Sequence, residues 1–306
     1  MSPTAASIVI ACHTEERFEQ LVEAIDSARR QVPEPDQVII AVDHNEALCR
    51  RLHLEVDGIE IVDHRGDPGA SGTRNAGAAL ARNPVLVFLD DDVRAHPGWL
   101  RELLAPLLDP RVIGTGGMTM PAWQGPRPRW FPDEFGWVVG ASHAGLPTEQ
   151  AHVRNVWSEN MAVRKSAFNA VGGFRHGFGK VGSKSRPEDT DLCIRIGASA
   201  PQGWWTYVPT AVVDHVVPRE RSTFAFFLRR CYWEGAGKVE LSAHLGEDRD
   251  LDDERSYLTR TLPRALVRDL LSGQFRRAGA IFAGVMLAAA GGAASLARAA
   301  GAKFGR

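Results

Sequence analysis

The chain has 306 residues, 44% of them hydrophobic, with 36 Lys and Arg against 37 Asp and Glu. That excludes a disordered chain and supplies one large core, or a domain with an appendage. The near-neutral total hides an asymmetry: from Arg255 onward nine basic residues face one acid, Asp269, so this tail carries about +8 and the remainder about −9. Cys12, Cys49, Cys193 and Cys231 have neither metal spacing nor disulfide-framework density, which fits a reducing compartment. Met1-Ser2-Pro3-Thr4 lacks the basic and apolar regions of a signal peptide, so the expected location is the cytoplasm. With basic residues concentrated in the tail and no recognition motif beside them, no nucleic-acid partner is expected.

In chain order, strands are predicted at 7–11, 37–42, 59–62 and 85–89, each followed by a helical pattern, at 17–30, 46–54, 71–82 and 97–108. Four strand-helix units imply a mostly parallel sheet covered by helices on both faces, with ligands bound beyond the carboxyl ends of the strands. Those ends are polar: Cys12-His13-Thr14-Glu15, Asp43-His44-Asn45, Asp63-His64-Arg65 and Asp90-Asp91-Asp92. The last is the sharpest signal, because three carboxylates follow an apolar run with no turn residue between. Clustered carboxylates raise one another's pKa, and a divalent cation such as Mn²⁺ or Mg²⁺, with oxygen ligands completed by water and phosphates, is the simplest compensation. The bland alternative is an acidic turn before a helix starting at Pro97.

Past Val112 the alternation stops. Residues 118–157 carry Pro121, Pro126, Pro128, Pro132 and Pro147 with Trp123, Trp130, Trp137 and Trp157. Proline this dense excludes a long helix, and the tryptophans either cover the core or form a stacking surface for a sugar or lipid. A helix at 188–197, strands near 205–208 and 211–217, and helices at 222–243, 254–271 and 276–298 complete the chain. The expected division is a domain over 1–220 and a helical C-terminal extension over 221–306. Residues 278–297 hold no charge and are bracketed by Arg276-Arg277 and Arg298. The length suffices to span a bilayer, but the Ala- and Gly-rich composition drives insertion weakly. Two readings stay open for 276–298: an interfacial anchor on an anionic membrane surface at the inner face of the cell membrane, or a helix packed on its own domain or on a second copy in a homodimer.

Taken together, Ser7-Ile8-Val9-Ile10-Ala11 with Thr14 and Glu15, Asp43, Gly69-Ala70-Ser71-Gly72-Thr73-Arg74-Asn75-Ala76-Gly77, Leu89-Asp90-Asp91-Asp92, Glu159-Asn160-Met161-Ala162-Val163-Arg164, Val171-Gly172-Gly173-Phe174 and Pro187-Glu188-Asp189-Thr190-Asp191-Leu192 resemble, in order and spacing over roughly 7–217, the family 2 glycosyltransferases. The resemblance implies an α/β GT-A fold and an inverting, metal-dependent enzyme that moves a sugar from a nucleoside-diphosphate-sugar onto a glycan, polyprenyl-phosphate or small-molecule acceptor. It implies Asp92 with Asp90 as ligands of Mn²⁺ or Mg²⁺, although three consecutive acids leave the choice among Asp90, Asp91 and Asp92 open by one position. His215 matches the place of a third ligand, with Asp214 as its rival.

The same resemblance gives Thr14, Glu15, Asp43, Arg74, Asp90 and Asp91 to the nucleotide-sugar, with UDP favoured, and Trp157, Asn160 and Met161 to the donor sugar or acceptor. Asp189 is the implied base, with Glu188 beside it at a helix start where backbone N–H groups favour the ionised form. Ordinary capping would use acids there too. Arg74 is read as a base or phosphate ligand against a plain ion pair, and Asp191 as a packing partner of Arg195 one turn on. Gly69, Gly72 and Gly77 permit a tight loop and close helix packing, since no P-loop spacing is present. Residues 177–186 read as a basic lid over the diphosphate. Two other readings remain: an inactive membrane-associated sugar-nucleotide binder or scaffold, and a sugar-phosphate nucleotidyltransferase, which lacks its Gly- and Lys-rich first loop here.

Overall fold

A computed structural model describes residues 5–181, 184–245 and 255–304. Along β1 (Ala6–Cys12), Ile8, Ile10 and Cys12 enter one apolar cluster and Val9 enters another. The same split recurs in β2 (Gln37–Asp43), with Val38, Ile40 and Val42 against Ile39, and in β4 (Val85–Asp90), with Val85, Val87 and Leu89 against Leu86 and Phe88. Burial on both faces is why these strands read as continuous apolar runs. One cluster is closed by α1 (Phe18–Arg29), α2 (Glu46–Glu55) and α4 (Trp99–Leu104) through Leu21, Ile25, Leu48, Leu52, Trp99 and Leu103. The other is closed from α3 (Ala70–Leu80), α5 (Lys165–Ala170) and α6 (Glu188–Ser199) through Ala78, Phe168, Leu192 and Ile196.

The strand order is β3-β2-β1-β4-β8-β6-β11-β5, with β7 (Ala151–Val153) paired to β11. β1 pairs in parallel with β2 and β4, and β2 with β3 (Glu60–His64). Beyond β4 the sheet departs from the mostly parallel expectation: β8 (Asn160–Arg164) lies antiparallel to β4 and to β6 (Val112–Trp123), and β11 (Trp204–Val217) antiparallel to β5 (Val93–Ala95). The sheet is therefore mixed, parallel only where strand-helix units feed it. The antiparallel β11/β5 register sets His215 opposite Val93, one residue past Asp92.

Two compact units result, one from 1–120 with 147–215 and one from 121–146 with 216–306. The second differs from the expected extension over 221–306 by taking in the Trp- and Pro-rich segment. The reason is apolar: Phe131, Phe135, Val138 and Val139 share a buried cluster with Phe227 and Cys231 of α7 (Phe224–Leu245), Leu262 and Ala265 of α8 (Leu262–Leu271) and Ile281 of α9 (Phe275–Phe304). Trp123, Trp130 and Trp137 pack on that cluster, so these three tryptophans cover a core. A helical turn of π type, Tyr257–Thr261, leads into α8, and the Tyr257 hydroxyl donates to the Glu134 carbonyl at 2.7 Å.

α9 packs along α7 through small residues. A Cβ on Gly235 would strike the Ala288 backbone, and one on Gly291 the Tyr232 carbonyl. Its other face is exposed and apolar, with Phe275, Phe282, Met286 and Leu296 at 52–68% exposure. Phe275–Arg298, at mean hydropathy 1.9, is long and apolar enough to cross a membrane.

Candidate active site

The rim beyond β1, β2 and β4 is assembled by short polar links. After β1 the chain turns through Glu15–Arg17, a single 3₁₀ turn capped by the Thr14 hydroxyl, which accepts from the Glu16 amide at 3.2 Å. Glu15 is exposed beside it. Asn45 donates from its side chain to the His13 carbonyl at 3.1 Å while capping α2 through the Leu48 amide at 2.9 Å. Asp43 closes β2 onto the start of α3: its Oδ2 accepts from the Gly69 amide at 2.8 Å and its Oδ1 lies 2.7 Å from His44 Nδ1. Both oxygens are thus used to shape the loop. Gly77 lets α3 lie on β1, since a Cβ there would run into Val9.

The three carboxylates after β4 point to different partners. Asp90 takes Arg74, with Nη2 to Oδ1 at 2.7 Å. Asp91 and Asp92, both buried, share Arg17, whose Nη2 lies 3.1 Å from Asp91 Oδ2 and whose Nη1 lies 2.8 Å from Asp92 Oδ2. The other oxygen of Asp92, Oδ1, sits 3.4 Å from His215 Nε2. Burial pushes Asp91 up to about 7 against the pull of Arg17, with Asp92 and Asp90 adding to the rise. Strand alternation in β11 settles which of its two polar residues faces this cluster: His215 is 5% exposed and turned inward, whereas Asp214 pairs outward with His96 at 3.1 Å.

Among the described residues no three His, Cys, Asp or Glu side chains converge on one point. Asp92 and His215 nevertheless present an oxygen and a nitrogen near the roughly 3 Å separation of neighbouring ligands on a small divalent ion, and His215 Nδ1 is buried without a hydrogen-bond partner among the described residues. Two protein donors completed by water and phosphate oxygens match what Mn²⁺ or Mg²⁺ accepts. Asp90, also expected as a ligand, has one oxygen, Oδ1, on Arg74.

A second cluster centres on Arg74, which is buried and reaches from Asp90 to Glu188 Oε1 at 3.3 Å. Glu188 and Asp189 open α6 behind Pro187, and Glu159 lies just before β8. Burial pushes Glu188 up to about 8, with the Asp189 charge adding and Arg74 opposing. Burial likewise raises Asp189, against Arg74 and hydrogen bonds from Ser158. Glu159 is driven well above the carboxylate range by burial and by Asp90 and Asp189. One oxygen of Asp189, Oδ1, is buried with no hydrogen-bond partner among the described residues. Several carboxylates around one guanidinium leave this pocket with unspent acceptor capacity.

Ser158, Glu159 and Arg17 were not singled out as site residues from sequence. Glu159 belongs to the Glu159-Asn160-Met161 run and Arg17 follows Thr14-Glu15, so position in the motifs was the available signal. Asn160 and Met161 are placed differently from expectation. Asn160 Oδ1 accepts from Trp99 Nε1 at 2.7 Å, and its Nδ2 donates to the carbonyls of Met118 and Ala211, each at 3.1 Å. Met161 is wholly buried in the core. Both support the rim from inside rather than facing a sugar, because the first residues of β8 alternate into packed faces. Trp157, half-buried, precedes them and accepts from the Asn160 amide through its carbonyl at 3.1 Å. Asp191, fully buried, holds Arg175 at 3.0 Å and Arg195 at 2.7 Å. Of the basic lid expected over 177–186, residues 182 and 183 and the side chains of Lys180, Lys184 and Arg186 lie outside the described residues; the backbone forms an antiparallel pair, Gly179–Val181 with Lys184–Arg186.

The Glu188 shift has a testable sign. Its ordinary value is 4.5 and its folded value about 8, so between these the unfolded chain is ionised while the folded chain still holds a proton. The folded state binds more protons, and stability falls as pH rises through that window. In chelator and without nucleotide, the urea midpoint should drop between pH 5 and pH 8, and Glu188→Gln should drop less; equal slopes would contradict the placement of Glu188.

Residues 7–172 match the sequence profile described as Glycosyl transferase family 2. A glucosyl-dolichyl phosphate glucuronosyltransferase from Haloferax volcanii is 30% identical over 257 residues, covering 82% of this chain and 81% of that protein. Among solved structures, a mannosyltransferase from Pyrobaculum calidifontis in complex with GDP-Man and Mn²⁺ superposes with a TM-score of 0.60 at 14% identity, over 93% of this chain and 87% of its own. GalNAc-T7 with UDP, GalNAc and Mn²⁺ does so with a TM-score of 0.57 at 18% identity, over 83% of this chain and 53% of its own.

Proposed function

Because the chain belongs to glycosyl transferase family 2 and is a glycosyltransferase of GT-A fold, we propose that it transfers a sugar from a nucleoside-diphosphate-sugar to a lipid-linked acceptor, with inversion at the anomeric carbon and with the help of a divalent metal. The observation that carries this reading is the pairing of two clusters: Asp92 with His215 Nε2, and, beside Arg74, Asp189, whose Oδ1 has no hydrogen-bond partner among the described residues. Asp92 and His215 would hold Mn²⁺ or Mg²⁺, which supplies charge neutralisation for the departing diphosphate. Asp189 Oδ1 takes the proton of the attacking hydroxyl. Its raised pKa makes it a stronger base than an ordinary aspartate, and Ser158 fixes its orientation. Arg74 keeps Asp90 and Glu188 in place and prevents the carboxylates from repelling one another apart.

A lipid-linked acceptor is favoured by two things: the Haloferax relative carries glucosyl-dolichyl phosphate in its name, and α9 exposes Phe282, Met286 and Leu296 between the exposed Arg276 and Arg298. An apolar stripe with basic ends suits an anionic membrane surface. The test is transfer from UDP- and GDP-sugars to a polyprenyl-phosphate-linked sugar in vesicles, with the product's anomeric configuration read by NMR. The expected product carries the anomer opposite to the donor's. A retained anomer, or transfer to the same sugar in free solution with equal efficiency, would contradict the reading.

A further inference from the structure

Arg17 sits beside the proposed metal pair, with Nη1 2.8 Å from Asp92 Oδ2. It ends the 3₁₀ turn after β1 and forms the N-cap of α1, so its backbone is fixed while its long side chain stays 28% exposed. Its fork is spread over two aspartates, Nη1 on Asp92 and Nη2 on Asp91, and the aspartate side chains are only 6–7% exposed. Nη2 also approaches His13 Nδ1 at 3.5 Å. Two buried carboxylates need compensating charge, and Arg17 supplies it on the Asp92 oxygen opposite the one that faces His215.

We propose that Arg17 is the resident counter-cation of this site and, in turn, a ligand of the donor's diphosphate. This rests on the assignment of Asp92 and His215 to a divalent metal. With no metal, the guanidinium stabilises Asp91 and Asp92. A divalent ion on Asp92 turns a local excess of negative charge into an excess of positive charge, and two cations a few Å apart repel. Asp91 still holds Nη2, while Nη1, which Asp92 then shares with the ion, gains a new place of opposite charge in the diphosphate that arrives with the ion. Its planar fork matches paired phosphate oxygens, and its partial exposure leaves the side chain room to turn. Metal binding alone therefore works against Arg17, while metal and nucleotide together work with it, which makes metal and nucleotide bind cooperatively.

The test measures Mn²⁺ binding by electron paramagnetic resonance of the free ion, and UDP and GDP binding by calorimetry at saturating Mn²⁺, for the wild type, Arg17→Gln, Arg17→Lys and Asp92→Ala. Arg17→Gln should bind Mn²⁺ about tenfold more tightly without nucleotide and the nucleoside diphosphate about tenfold more weakly with metal, a reversal of order 1.4 kcal/mol each way. Arg17→Lys, which keeps the charge and loses the fork, should leave Mn²⁺ affinity near wild type and still weaken the nucleotide. If Arg17→Gln weakens Mn²⁺, or leaves both affinities unchanged, Arg17 only braces the aspartates and the proposal fails. If wild type and Asp92→Ala bind Mn²⁺ equally or not at all, the metal assignment itself fails and this inference falls with it.

Discussion

Replacing Asp189 by Asn is expected to lower kcat by about 10²–10⁴-fold, the contribution of a positioned general base, while leaving nucleoside-diphosphate affinity within a few fold. The asymmetry follows from what each carboxylate touches. Glu188 and Asp90 are tied to Arg74, so the pocket keeps its shape when Asp189 loses its charge. Asp189 receives hydrogen bonds from Ser158, and its buried Oδ1 has no partner among the described residues, so that oxygen keeps acceptor capacity for a hydroxyl proton. Removing the Asp189 charge also removes the neighbour that, after burial, most raises Glu188, so the variant should be no less stable than wild type near neutral pH. Steady-state transfer and nucleotide titration on the same preparations check this. Should Glu188→Gln cost more in kcat than Asp189→Asn, the base has been assigned to the wrong residue.

The second large effect is expected from Asp92→Ala, which should abolish the metal dependence of donor binding. Asp92 joins two features that nothing else in the described site combines: an oxygen facing His215 Nε2 and an oxygen held by Arg17. Without it, His215 loses the carboxylate paired with its ring among the described residues, and a divalent ion keeps His215 alone of the two proposed donors. A ligand at 100 times its Kd adds about 2.7 kcal/mol of stability, and that increment should vanish in the variant whether or not Mn²⁺ is present.

Much of the first unit was legible because its strands and helices alternate without interruption. The four predicted strands fall within or beside β1 to β4, and the polar residues after them do meet on one side, where Asn45 reaches the His13 carbonyl and Asp43 the Gly69 amide. The predicted helix over 97–108 is broken because Pro106 cannot continue it; Trp99–Leu104 passes into a 3₁₀ turn. β6 was invisible for a different reason. Its Gly114, Gly116 and Gly117 look like a loop, yet a Cβ at each would strike Trp205, Val156 or the Ala211 carbonyl. Crowding by partners far along the chain, not strand propensity, selects glycine there.

The site divides in the same way. The acidic run, Arg74 and the Glu188-Asp189 pair are visible as types at a spacing, but which oxygen faces which partner depends on register. β11 pairing with β5 brings His215 to Asp92 and turns Asp214 to His96, a choice that no local pattern encodes. Asn160 looks like a ligand residue in sequence and is a strut in the fold, because Trp99 and two carbonyls from β6 and β11 consume its carboxamide. Arg17 was hidden as one exposed-looking arginine of a helix start. Its meaning appears only where Asp91 and Asp92 arrive from 74 and 75 residues away. The Trp-rich segment was ambiguous between core and stacking surface because composition cannot tell them apart; packing against the cluster that holds Phe227 and Leu262 decides for Trp123, Trp130 and Trp137.

The most direct test of a metal-dependent donor site is thermal unfolding of the wild type and Asp92→Ala with a panel of UDP-, GDP-, TDP- and CDP-sugars, with and without Mn²⁺. Stabilisation by one nucleotide class that requires Mn²⁺ and is lost in Asp92→Ala is the expected result. Equal stabilisation with and without Mn²⁺, or an undiminished shift in the variant, would contradict it.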